Sequence, residues 1–432
     1  MNLIVTPQGP LRGEARVPGD KSITHRALLL AALGDGPARV RNYLDGGDCR
    51  ATIGCLQGLG VAIDDATPGE LQVEGVGLRG LVEPAGVLDC VRSGTAMRLL
   101  AGLLAGQPLF TVLSGDEQLL RRPMGRVVQP LTAMGAQIWG RDGHRYAPLA
   151  IQGATLQGAT HHLAVASAQV KSAILLAGLY AQGETAVVEP GPSRDHTERM
   201  LRGRGVALAS EGLTHRLQGP VEALGSLDVD VPGDFSSAAF LIGAALLTPG
   251  SRLVLRDINL NPTRTGLLDA IALMGGQVTV LDERDAAGEP LGDLAIEAQP
   301  LHGATIGGAL VPRMIDEFPL LALLASQAQG VTTVTDAAEL HVKETDRIVT
   351  TVAALRGLGA HIEPTADGFV IEGPTPLTGA AIDSYGDHRL AMTLAVAALI
   401  ARGETAIGRA ECMDDSFPGF APLLLSLCEG AA

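Results

Sequence analysis

Six apolar stretches of helical length recur along this 432-residue chain: Ser22 to Leu33, Gly94 to Ala105, Gln169 to Ala181, Phe235 to Leu247, Glu317 to Ala328 and His388 to Ala401. Each is apolar on nearly every face, as helices enclosed by other elements are. Each is followed by a turn glycine and a β-like run, such as GPARVRNY, GETAVVEP or GVTTVTDA. A second helix-like segment comes next, and in five cases it ends on a related phrase: LGVAI at Gly60, MGAQI at Gly135, RGVAL at Gly205, MGGQV at Gly275 and LGAHI at Gly359. These glycines are 75, 70, 70 and 84 residues apart, a period that marks repeated supersecondary units. Six α/β units imply two domains of three units each, residues 20–231 and residues 1–19 plus 232–432. The sixth unit stops after SFPGFAPLLLSL, so the N-terminal MNLIVTPQGPLRGEARV is expected to supply its missing strands. The chain then crosses between domains near 18–20 and 231–234, where Pro-Gly turn signals suit a hinge. β-branched runs between the helices argue against a helical solenoid.

Aromatic residues make up only 3 % of the chain against 46 % apolar residues, so Ala, Leu, Val and Gly must fill the cores. A formal charge of −15 argues against nucleic acid or an anionic membrane as partner, because both require a basic face. No apolar run approaches the roughly 18 residues of a membrane span, and the N-terminus lacks the pattern of an export signal. Cys49, Cys55, Cys90, Cys412 and Cys428 form neither a CxxC pair nor a disulfide ladder. A soluble cytoplasmic protein without structural zinc is expected.

The basic residues carry more information. Of 32, 29 are Arg and three are Lys: Lys21, Lys171 and Lys343. Ammonium is a compact point charge and guanidinium a planar fork, so this usage suggests lysine is kept where the difference matters. Polar clusters precede each apolar stretch: GDKS, VRSGT, ASAQVKS, PGDFS, RMIDEFP and SYGDHR. Capping accounts for Asp234 and Ser236. Lys, Arg and Gln are poor caps, however, and helix N-termini are sites for phosphate and carboxylate. Lys21, Arg26, Lys171 and Arg389 are therefore expected to build a cationic pocket in an acidic protein. GDKS lacks the second glycine of a P-loop, so nucleotide triphosphate chemistry is unsupported. In ELHVKETDR, Lys343, Glu344 and Arg347 set an acid-base couple beside an arginine, or else an exposed salt-bridged helix start. Asp387, His388 and Arg389 in SYGDHR fit a helix-start site or a solvated turn equally well. His25 is compatible with packing or with support of Arg26.

Taken together, GDKSITHRALLLAAL, SGTAMRLLAG, LLRRPMGRVVQPL, SAQVKSAILLAGL, SRDHTERML, DEFPLLALLA, VKETDR and GDHRLAM resemble the enolpyruvyl transferases in order and spacing over essentially the whole chain. SAQVKS and SRDHTE are similar to the bacterial class II branch that acts on 3-phosphoshikimate. The resemblance implies an α/β fold of two similar domains, each of three βαβαββ-type repeats around buried helices, in the inside-out barrel of this family. It implies a monomer closing over 3-phosphoshikimate and phosphoenolpyruvate, with no metal and no organic cofactor. By similarity, Lys21, Ser22, Arg26, Ser167, Ala168, Gln169, Arg194, Asp316 and Lys343 would hold 3-phosphoshikimate. Lys21, Gly94, Arg122, Gln169, Arg347 and Arg389 would hold phosphoenolpyruvate, whose phosphate and carboxylate both match guanidinium forks. Asp316, Glu344 and Lys21 would move the protons.

Several positions depart from the family pattern. Arg92 precedes SGT where Asn is usual, Glu339 replaces an Asn that touches substrate in one branch, and Asp415 stands where that branch has Lys. Two rivals remain. The transferase acting on UDP-N-acetylglucosamine has Asn after the first Lys and usually a Cys in its flexible loop, whereas Ser22 follows Lys21 here and LSGDEQLLRRPMG has no Cys. A non-catalytic two-lobed anion-binding protein would need the cationic pocket without Asp316 and Glu344.

Overall fold

The computed structural model describes residues 2–286 and 288–429. All six apolar stretches are helices: α1 (Lys21–Ala32), α3 (Gly94–Ala105), α5 (Ala168–Gly178), α7 (Phe235–Leu247), α9 (Phe318–Gln327) and α11 (His388–Ile400). Among the described helices between them, five end on the recurring glycine phrase: α2 (Gly47–Gly58), α4 (Gly125–Ala133), α6 (His196–Gly203), α8 (Gly266–Leu273) and α10 (Arg347–Gly357).

The phrase is a helix stop. Gly60, Gly135, Gly205, Gly275 and Gly359 all have φ between +79° and +105°. The amide after each reaches back five residues at 2.9–3.1 Å, as Val61 does to the Leu56 carbonyl and Ala360 to that of Leu355. This six-to-one bond satisfies carbonyls that the helix end leaves open, and it needs a left-handed residue that only glycine adopts without strain. Gly359→Ala should therefore lower stability by about 1–2 kcal/mol in urea unfolding. Gly54→Ala, inside α2 with open space around its Cα, should leave it unchanged or raise it slightly.

Chain contacts divide the molecule into two compact units. The first holds Gly19–Val231 with Asp285–Glu289, and the second holds the remainder. Each encloses three buried helices in a core of its own, around α1, α3 and α5 in one and α7, α9 and α11 in the other. With few aromatic residues to fill space, helices approach closely. A Cβ on Gly102 of α3 would meet the Ala173 carbonyl oxygen of α5 at 2.2 Å.

Among the described residues, each unit also has three small mixed sheets. In four repeats the short strand before the buried helix runs parallel to the strand after it, for instance Leu88–Asp89 beside Phe110–Ser114 and Thr160–His162 beside Gly183–Val188. The first and fourth repeats exchange this strand. Val229–Asp230, preceding α7, pairs with Asp35–Arg41 after α1, and Arg12–Ala15, preceding α1, pairs with Arg252–Asn259 after α7. This corrects the expectation for the N-terminal segment. Only Asn2–Val5 completes the sixth sheet, antiparallel to Thr405–Gly408, while Arg12–Ala15 serves the fourth. The physical reason is that the chain crosses between units after the strand and before its helix.

No described helix is long and apolar enough to cross a membrane, and no described group of three His, Cys, Asp or Glu residues could hold a metal.

Candidate active site

In the first unit the helix starts gather the expected residues. Asp20 caps α1 by accepting from the Ile23 amide at 2.9 Å, which fixes where Lys21 and Ser22 begin the helix. The Lys21 ammonium lies 3.3 Å from an Asp48 carboxylate oxygen at the start of α2. Arg26, one turn along α1, is buried, and burial pushes its pKa down to about 10. Arg194, half-buried just before α6, adds a second positive charge that acts on Arg26 in the same direction. Ser167 caps α5 and Ala168 opens it.

Gly94 begins α3, where a Cβ would stand 2.9 Å from a terminal nitrogen of Arg98 and 3.0 Å from one of Arg122. Gln169 accepts from Arg98 at 2.5 Å and donates to the Thr95 hydroxyl at 2.8 Å. The structure thus brings Gly94, Arg122 and Gln169 together and adds Arg98, which the motifs had not singled out. The signal was present: Arg98 follows Gly94 by four positions, on the same face of α3. Arg92 instead points to the surface, where it pairs with Asp116 at 2.9 Å.

Two other readings change. Lys171 does not belong to a cationic pocket. It has no exposed surface, and its ammonium lies 2.6 Å from Glu189 and 2.7 Å from Glu198. Two acidic side chains, with His215 3.1 Å from Glu189, already absorb its charge. His25 proves to be a packing residue. It is fully buried with Nδ1 2.7 Å from the Thr52 hydroxyl, and burial holds its pKa down at about 3, so it stays neutral.

The second unit supplies an acidic and guanidinium cluster. Arg347, at the first turn of α10, is buried and bonds three carboxylates: Asp387 at 2.8 Å, Glu344 at 2.7 Å and Asp316 at 3.2 Å. Burial works against its charge, but these carboxylates outweigh that and hold it protonated. Asp387 also caps α11, accepting from the Arg389 amide at 2.9 Å. Burial of Arg347, Asp387 and Arg389 removes both the exposed-helix and the solvated-turn alternatives.

Asp316 is the hub of this cluster. Besides Arg347, Arg389 comes within 3.6 Å and Arg264 within 3.9 Å. Lys343 stands near it, its pKa lowered by burial despite the raising influence of Asp316. Asp234 caps α7, as the capping reading expects. Ser236 does not cap; its hydroxyl accepts from Arg264 at 2.8 Å and donates to buried Glu317. Glu339 lies exposed.

Comparison with known proteins supports the resemblance. The family model described as EPSP synthase (3-phosphoshikimate 1-carboxyvinyltransferase) matches residues 5–424. A 3-phosphoshikimate 1-carboxyvinyltransferase of Syntrophotalea carbinolica is 52 % identical over 430 residues, 99 % of either chain. One of Desulforudis audaxviator is 50 % identical over 427 residues, again 99 % of either. A solved EPSP synthase of Acinetobacter baumannii superposes with a TM-score of 0.90 at 42 % identity, covering 99 % of this chain and 98 % of that one. A match this long, in sequence and in fold alike, means that the chain belongs to the EPSP synthase family.

Proposed function

We infer that this chain carries out the reaction of its family, moving the 1-carboxyvinyl group of phosphoenolpyruvate to the 5-hydroxyl of 3-phosphoshikimate. The hydroxyl loses a proton as its oxygen attacks C2 of phosphoenolpyruvate while C3 gains one. The tetrahedral adduct then loses a proton from C3 and expels phosphate, leaving 5-enolpyruvylshikimate-3-phosphate, an intermediate on the route to chorismate and the aromatic amino acids. Protons move in both halves, so positioned acid-base groups are required.

The observation that carries the assignment of roles is that one buried guanidinium, Arg347, bonds both Asp316 and Glu344. A planar fork held at three points fixes two carboxylates at once. In this reading Asp316 takes the hydroxyl proton and Glu344 serves C3, with Lys21 assisting. Lys21, Ser22, Arg26, Ser167, Ala168, Gln169, Arg194, Asp316 and Lys343 hold 3-phosphoshikimate. Lys21, Gly94, Arg122, Gln169, Arg347 and Arg389 hold phosphoenolpyruvate, and Arg98 orients Gln169. The same reading takes residues 20–231 as one domain and 1–19 with 232–432 as the other, hinged near 18–20 and 231–234. It describes a cytoplasmic monomer that needs no metal or organic cofactor and binds neither nucleic acid nor membrane.

The test is phosphate release. It is expected with 3-phosphoshikimate and phosphoenolpyruvate together, and with neither alone. UDP-N-acetylglucosamine as acceptor should give none. Binding of both substrates without release, by well-folded protein, would favour the non-catalytic anion-binding protein. Lys21→Arg should lower turnover at least about a hundredfold, because a rigid fork cannot follow a point donor between two ligands. Full activity in that variant would remove lysine's special role there.

A further inference from the structure

Arg26 differs from Arg347 in its partners. Arg347 is hydrogen-bonded by carboxylates, whereas the hydrogen-bond partners of Arg26 among the described residues are neutral oxygens, and Glu198, Asp20 and Glu289 act on it only through their charge. Nε donates to the Thr197 hydroxyl at 2.7 Å, one Nη2 hydrogen to the Ser172 hydroxyl at 2.7 Å, and one Nη1 hydrogen to the Ser22 carbonyl at 2.8 Å. The two hydroxyls are 2.7 Å apart, and Ser172 donates its single hydrogen to the Ala168 carbonyl at 2.6 Å. Thr197 must therefore donate to Ser172, and each hydroxyl accepts from the guanidinium. The hydrogen bonds run one way, from Arg26 through Thr197 and Ser172 to the backbone of α5.

Hydroxyls orient a guanidinium without neutralising it. Three of its five N–H groups are engaged, and one hydrogen on each terminal nitrogen bonds nothing among the described residues. Two such hydrogens on neighbouring nitrogens match two oxygens of a carboxylate or a phosphate. The scaffold behind this clamp is tight. Thr197 and Ser172 are buried, and the next residue along α6 and the previous one along α5, Glu198 and Lys171, form the buried ion pair at 2.7 Å. Residues adjacent in sequence thus zip α5 to α6 twice, once by charge and once by hydroxyls.

We propose that Thr197 and Ser172 are positioning residues that lock the Arg26 guanidinium edge-on, so that its outer two N–H groups present a preset fork to an oxyanion group of 3-phosphoshikimate. This rests on the reading of Arg26 as a ligand of that substrate. Neither residue touches substrate; both act through Arg26.

Steady-state kinetics of the full chain test it. Thr197→Val, of nearly the same shape, should raise KM for 3-phosphoshikimate about tenfold, the range for a hydrogen bond to a charged group. KM for phosphoenolpyruvate should stay within about twofold, and Thr197→Ser should restore the first constant. Arg26→Lys should itself raise KM for 3-phosphoshikimate, and adding Thr197→Val to it should do little more, because the residue acted on has gone. Independent, multiplying effects would overturn the proposal, as would equal rises in both constants. If Thr197→Val fails to fold, Ser172→Ala breaks the same chain with no added bulk and is judged by the same criteria. An unchanged KM in Arg26→Lys would refute the ligand reading itself, whereas impaired Arg26→Lys beside silent Thr197→Val and Ser172→Ala would refute only the positioning role.

Discussion

Asp316→Asn should lower turnover about 10²- to 10⁴-fold, the range for loss of a positioned acid-base group, with little change in unfolding midpoint. The carboxylate is an acceptor at both oxygens and the amide at one only, so the substitution keeps the shape and removes the base. Folding should survive because Arg347 keeps Asp387 and Glu344 when it loses Asp316. Single-turnover phosphate release separates this from a binding defect. Turnover within a few-fold of the parent would take Asp316 out of the proton path.

The second large effect is on stability. Lys171→Met should destabilise by about 3–5 kcal/mol, since it leaves Glu189 and Glu198 buried beside each other without their cation. Urea unfolding measures it, and an unchanged midpoint would mean the ion pair contributes nothing net. The network also sets a pH dependence. Burial pushes the Glu189 carboxyl up, but hydrogen bonds from His215 and Lys171 win, and its pKa ends below the ordinary 4.5. A carboxyl with a depressed folded value contributes stability that is present above its unfolded value and lost as pH falls through the folded one. Stability should therefore decline on acidification below about pH 4.5.

Lys171 also marks how far the sequence could be read. Three lysines among 29 arginines drew attention to Lys21, Lys343 and Lys171 alike. Residue type carries no record of where a countercharge lies, and the carboxylates of Glu189 and Glu198 reach Lys171 from the residue after a strand and from a helix further along the chain. The buried helices were legible to within a few residues, because enclosure on all sides leaves an unbroken apolar run. The recurring glycine phrase was legible as a recurrence, whereas its work as a left-handed stop depends on backbone angle. Arg98, Thr197 and Ser172 escaped notice because each acts on a neighbour brought near by packing. Motifs show the residues that meet a ligand more readily than those that aim them. The exchange of Arg12–Ala15 and Val229–Asp230 was hidden for a related reason: a strand of two to four residues has no pattern that names its partner.

That exchange bears on the order in which the molecule can be assembled. Nearly all of the first unit lies in one continuous segment, Gly19–Val231, so it has its own strands and helices once that segment has left the ribosome. The segment before it is in the opposite position. Arg12–Ala15 waits for Arg252–Asn259, and Asn2–Val5 waits for Thr405–Gly408, which are made only after the first unit. Strands made before the first unit thus find their partners only after that unit is finished, and until then they present unpaired strand edges.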